Sequence, residues 1–203
     1  MSEFNRFPIG INTTWFESQS LRVPNAKVAN WLLHTGSLTE RLQALTSNFR
    51  VEVVGQKTMR ADESEINALP NYEAQTWQIR EVILYGDNKP WVFARSVLPE
   101  HLCNTTWSSL GNQPLGQRIF NDDQFVRSDF VIAELSYNPV AALLGESSEA
   151  SLWARRSQFK VHQWDLLVAE VFLPDCPCYQ SEAQSADEPE EIASSNLRQK
   201  VKQ

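Results

Sequence analysis

The sequence predicts an α+β fold: a single domain in which a mostly antiparallel β-sheet is flanked by helices. Three observations lead there. From Phe49 onward, apolar and polar residues alternate in short runs, as half-buried strands require. Turn signals such as Gly86-Asp87-Asn88-Lys89-Pro90 link neighbouring runs over distances that suit hairpins and are too short for parallel crossovers. Helical spacing is confined to a few short stretches, chiefly near the start of the chain.

Taken in order, the segment up to about Pro24 is aromatic but aperiodic, and Trp15 and Phe16 are expected to pack onto the body as an irregular arm. Between Asn25 and His34, the spacing of Val28, Ala29, Trp31, Leu32 and Leu33 fits a short helix. Ser37-Leu38-Thr39-Glu40 then carries a capping-box signature ahead of Leu42 and Leu45. Two helices therefore meet at Gly36, with Leu38 in the first turn of the second. Strands are expected at 49–54, 75–85, 91–98, 125–135, 158–163 and 166–173. His162-Gln163-Trp164-Asp165 makes a tight link between the last two. The stretch Pro114 to Phe120 reads as a short helix begun by proline, although Gly116 could equally mark a loop. Beyond Tyr179 the chain turns rich in Ser, Glu and Gln. Residues 1–179 are thus expected to form the folded domain and 180–203 an acidic, disordered tail.

Composition narrows the function. At 203 residues the chain can bury one good core. Its net charge of −7, with no Lys/Arg-rich run, lacks the footprint of a nucleic-acid binder. Apolar stretches fall far short of the ~20 residues that cross a bilayer, and Met1 to Arg6 is not built like a signal peptide, so a cytoplasmic protein is expected. Cys103, Cys176 and Cys178 are an odd set, read as free thiols. His34, His101 and His162 show no ligand spacing with them, which argues against a metal site. No phosphate loop, GxSxG elbow or HExxH motif is present.

Two charges stand out. Arg80 lies inside Trp77 to Leu84 and shares its strand face with Gln78, Val82 and Leu84; Glu170 lies inside Leu166 to Leu173 and shares its face with Leu166, Val168 and Phe172. Charges in such surroundings need partners, in protein or ligand. One account is internal pairing, Arg80 with Glu170 or Arg95 with Glu134. The other is a small anionic ligand held between Arg80 and Glu170. Arg155 and Arg156 must point to opposite faces, and one of them is expected to point outward.

Four stretches in unbroken order carry a resemblance. They are Trp31-Leu32-Leu33 with Gly36 to Arg41; Trp77 to Leu84 with Pro90 to Pro99; Leu110-Gly111-Asn112-Gln113-Pro114-Leu115-Gly116; and Trp153 to Ser157 with Ala169-Glu170-Val171-Phe172-Leu173-Pro174. Together they resemble chorismate lyase, the chorismate pyruvate-lyase family that forms 4-hydroxybenzoate for quinone biosynthesis. The resemblance implies an antiparallel sheet flanked by helices, with helical flaps over an enclosed ligand. It also implies that Arg80 pairs with the ring carboxylate and that Glu170 meets the hydroxyl end, these two being the catalytic pair. Leu38 and Leu115 match flap residues closing over the ligand, Leu38 standing where a methionine is expected. No cofactor is implied, the partner is the small molecule chorismate, and a monomer is expected. A reading from another class is the effector-binding domain of bacterial transcription regulators, which shares this type of fold. Such a sensor normally follows a helix-turn-helix domain, and the segment before Val28 lacks the helical periodicity for one.

Overall fold

A computed structural model describes residues 7–69, 76–105, 115, 119, 122–135 and 151–180. Strand β1 is Phe16–Glu17, followed by helices α1 (Ala26–Leu32) and α2 (Leu38–Gln43), and then by β2 (Phe49–Met59) and the short helix α3 (Glu63–Ile66). The hairpin of β3 (Trp77–Gly86) and β4 (Lys89–Pro99) leads into α4 (Glu100–Thr105). Strands β5 (Val126–Arg127), β6 (Val131–Leu135), β7 (Leu152–Val161) and β8 (Trp164–Phe172) complete the described elements. The strands form one antiparallel sheet in the order β1-β6-β7-β8-β4-β3-β2, with β5 pairing on β7.

Local chemistry explains the expected elements. Asn25 caps α1, its side chain accepting from Val28 N at 2.9 Å, and Ser37 caps α2 by accepting from Glu40 N at 3.3 Å. Arg41 ties the two helices together through bonds to Asn30 and a guanidinium 3.8 Å from the Trp31 ring centroid. The β3–β4 turn takes left-handed backbone at Asp87 (φ 50°) and Asn88 (φ 67°), residue types that tolerate it. The β7–β8 turn does so at His162 (φ 52°).

Several boundaries differ from expectation. Residues 125–135 are two strands, because Ser128 leaves the ladder and ties to Gln158 through N–H to carbonyl and Oγ contacts of 2.9 and 3.0 Å. The strand expected at 158–163 begins at Leu152, and β2 runs past Val54 to Met59 across a bulge between Val53 and Gly55. The arm is not wholly irregular, since Phe16 and Glu17 pair with β6; Trp15 packs into the core, but Phe16 is 41% exposed. Of the expected helix at 114–120, Leu115 and Ile119 are described, both helical and buried. The tail from 181 onward lies outside the described residues.

Each sheet face carries two apolar clusters with a charged strip between them. On the face that α1 and α2 cover, one cluster gathers Trp31, Leu32, Leu38, Val92 and Phe172, and the other gathers Leu98, Leu102, Leu115, Ile119 and Leu166. On the opposite face, Ile83, Phe93 and Val171 centre one cluster, while Trp77, Ile79 and Leu167 centre the other. The N-terminal arm helps to close this second face: Phe7 lies so close to Gly55 that a Cβ there would approach its ring to 2.2 Å.

Candidate active site

Cross-strand partners share a face, so the register fixes what lies beside Arg80 and Glu170. One row runs Gln56, Arg80, Ser96, Val168, Ser157; the next runs Val53, Val82, Ala94, Glu170, Arg155. Arg80 and Glu170 therefore stand on the same face, two strands apart and one row offset, with Cα atoms roughly 12 Å apart by strand and residue spacings. Between them the floor is small: Ala94, Ser96, Val82 and Val168. Val82, Val168 and Glu170 keep partial exposure.

Internal pairing of Arg80 with Glu170 is not what the chain does. Among the described residues no ion pair joins them. Arg80 is 3% exposed and its Nη1 donates to Gln56 Oε1 at 2.6 Å, a neutral partner. Burial lowers its pKa from the ordinary arginine value, with the nearby Cys103 acting in the other direction. Glu170 Oε2 instead accepts from Arg155 Nε at 2.6 Å. Arg155 Nη1 also reaches the carbonyls of Trp31 (3.1 Å), Leu32 (3.4 Å) and His34 (2.9 Å), where α1 ends. One buried guanidinium thereby joins Glu170 to the helical cover. No hydrogen bond within the described residues engages Glu170 Oε1.

The pairing of Arg95 with Glu134 is also overturned. Glu134 belongs to the Arg155 face, whereas Arg95 points to the opposite one. There Arg95 meets Glu81 at 2.7 Å, Glu65 at 2.7 Å and Asp62 at 3.2 Å. Burial works against the Arg95 charge, but hydrogen bonds and charges of Glu65 and Glu81 outweigh it and raise the pKa. Nor does either of Arg155 and Arg156 point outward. Both are buried because the sheet is covered on both faces, with Arg156 under the Trp15 ring at 4.6 Å and donating to Ser64 O at 3.3 Å.

Leu38 and Leu115 lie in the two clusters that flank the strip, 3% and 8% exposed. The four residues singled out in the sequence are therefore brought to one face. Sequence reasoning missed Gln56, beyond the expected end of its strand, and Arg155 as the partner of Glu170. The signal for Arg155 was its alternation with Trp153 and Ser157, which needed the β7–β8 register to become readable. The three cysteines are free and buried. Among the described residues, no group of His, Cys, Asp and Glu is arranged to hold a metal ion, and no helix is long and apolar enough to cross a membrane.

Comparison with known proteins now decides the family. The chorismate lyase family model matches residues 9–184. This chain belongs to the chorismate lyase family. A Pseudoalteromonas atlantica protein named probable chorismate pyruvate-lyase is 44% identical over 180 residues, covering 85% of this chain and 92% of that protein. Relatives with the same name from Shewanella amazonensis (39% identity; 83% of this chain, 91% of theirs) and Pseudomonas aeruginosa (38%; 80% and 92%) extend the match. Among solved structures, PhnF from Mycobacterium smegmatis is similar with a TM-score of 0.55 at 17% identity, covering 70% of this chain and 66% of that one. The C-terminal domain of the histidine utilization repressor from Pseudomonas syringae pv. tomato gives 0.53 at 11%, covering 68% and 98%. At these identities the likeness concerns the fold alone, and it agrees with the α+β class read from the sequence.

Proposed function

We propose that this chorismate lyase family member converts chorismate to 4-hydroxybenzoate and pyruvate without a cofactor, supplying a precursor of ubiquinone-type quinones. The observation that carries the reading is the strip itself: Arg80 and Glu170 at its two ends, a floor of small side chains between them, and Glu170 Oε1 without a hydrogen bond among the described residues. Arg80 holds the ring carboxylate, for which a guanidinium fork is the best geometric match. Glu170 Oε1 accepts the C4 hydroxyl. Leu38 and Leu115 close the apolar ends over the ring.

The chemistry asks little more of the protein. The C3 to oxygen bond breaks, C4 loses its hydrogen, and the departing enolpyruvyl group gains a proton at its methylene carbon to become pyruvate. Aromatisation supplies the driving force, so enclosure and orientation carry much of the catalysis. Glu170 assists by moving the C4 proton or by stabilising charge as the ether bond breaks. A Glu170→Gln variant separates these two: loss of rate makes the carboxylate essential, and full rate across pH favours positioning alone.

Incubating the purified protein with chorismate and following 4-hydroxybenzoate absorbance tests the reading. Product formation is expected, together with a first-turnover burst if release through the flaps limits the rate. Ligand binding without product would instead favour an effector-binding role.

A further inference from the structure

The antiparallel register of β2 against β3 slips by one residue at Val54. Val53 stands opposite Val82, but Gly55 stands opposite Glu81 and Gln56 opposite Arg80. In an uninterrupted ladder Gln56 would oppose Ile79, whose side chain belongs to the other sheet face. The extra residue is held by its own burial, since Val54 is 5% exposed and packs with Ile83 and Phe93. A bulge of this kind re-aims the side chains that follow it, and here it turns Gln56 onto the face that carries Arg80 and Glu170.

The amide of Gln56 is fixed at both ends. Its Oε1 accepts from Arg80 Nη1 at 2.6 Å, and its Nε2 donates to Gln78 Oε1 at 2.5 Å. A guanidinium offers donors only, so the amide must present its oxygen to Arg80, and Gln78 takes an N–H on the other side and locks that orientation. Gln56 is exposed, on the strand that ends the described sheet order, whereas Arg80 is 3% exposed. A surface residue thus reaches a buried cation. Gln56 need not be its sole partner to matter: a guanidinium is planar and rigid, so one fixed Nη1, together with the side-chain stem, sets the direction of the whole fork.

We infer that Gln56 is a positioning residue: aimed by the bulge at Val54 and held by Gln78, it orients the Arg80 guanidinium for the ring carboxylate of the ligand. This rests on the lyase reading and extends it. As a neutral group, Gln56 fixes the fork without adding a charge that competes with the arriving carboxylate. That carboxylate is present in substrate and aromatic product alike, so its orientation is worth the same before and after the ether bond breaks. Losing Gln56 therefore weakens binding throughout and shows in KM more than in kcat.

The test compares 4-hydroxybenzoate with its neutral counterpart, 4-hydroxybenzamide, by calorimetry, alongside KM and kcat for chorismate. The wild-type protein should prefer the carboxylate by at least about tenfold, a preference that reads the Arg80 contact itself. Gln56→Met keeps the length of the side chain and removes the amide; it should reduce that preference about fivefold and raise KM by a similar factor, with kcat within about twofold. Gln78→Met should act in the same direction by about twofold and add nothing once Gln56 is replaced. A parallel loss of both ligands in Gln56→Met is what a merely structural role would give, and it overturns the positioning role. Equal wild-type affinity for the two ligands does so even if no variant folds. If chorismate is turned over but the preference survives Gln56→Met, the lyase reading stands and the positioning role fails. If chorismate is not turned over but the preference and its loss persist, the lyase reading fails and Gln56 still orients Arg80 for an aromatic carboxylate.

Discussion

Arg80 and Arg95 sit on adjacent antiparallel strands and are equally buried, 3% and 2% exposed, yet they serve opposite ends. Arg95 closes a network with Glu65, Glu81 and Asp62, and Glu81 in turn accepts the backbone N–H groups of Ile9 and Gly10 at 2.8 Å. That strip is filled by protein and fastens the N-terminal arm to the sheet. Across the sheet, Arg80 is bonded to neutral Gln56 on β2 and shares its face with Glu170. The same residue type, at the same burial, acts as a rivet where carboxylates surround it and, in the proposed site, as a ligand anchor beside a floor of small side chains. Burial alone does not tell the two apart.

The largest expected effect is on the rivet. Arg95→Ala leaves Glu81 and Glu65 buried without their cation and should cost about 3–5 kcal/mol of stability, read as a lower midpoint in urea unfolding. An unchanged midpoint would dissolve the contrast. Arg80→Ala should move ligand binding more than stability, weakening 4-hydroxybenzoate by about 2–5 kcal/mol and abolishing most turnover; normal turnover would remove Arg80 from the site.

Smaller changes sharpen the comparison. Gly55→Ala drives a methyl into the Phe7 ring and should cost about 1–3 kcal/mol while sparing affinity for 4-hydroxybenzoate, because it strains the arm and leaves the ligand face intact. Burial pushes the Cys103 thiol up to about 11, Arg80 partly opposing this. Because the folded value lies above the unfolded one, the thiol's contribution to stability is complete below about pH 9 and is lost as pH rises through about 11. Thiolate absorbance should appear correspondingly late, and later still in Arg80→Ala; early ionisation would place Cys103 in a wetter setting. Leu38→Met, which restores the residue the family resemblance leads one to expect, should change stability by less than about 1.5 kcal/mol in thermal melts.

What could be read before folding follows from interaction range. Asn25 and Ser37 cap helices within their own first turns, and Asp87-Asn88 makes its turn from residues that accept left-handed backbone, so these elements were legible. The split between β5 and β6 was not, because Ser128 leaves its strand to bond Gln158, 30 positions away in sequence. At the site, Arg80 and Glu170 were conspicuous as charges in apolar strands, and the family resemblance paired them across a ligand. Their actual protein partners, Gln56 and Arg155, could not be named without the register.

By itself, the sequence determined the sheet-rich class, the two capped helices and the hairpins, because periodicity and capping act within a few residues; Arg80 and Glu170 stood out as charges in apolar strands, and the family resemblance added Leu38 and Leu115. Only the tertiary structure decided which buried arginine meets carboxylates and which, among the described residues, meets a neutral amide. That depends on strand order and on which segments cover each face: the arm and α3 carry carboxylates and backbone groups to one strip, while α1 and α2 bring apolar side chains and helix-end carbonyls to the other.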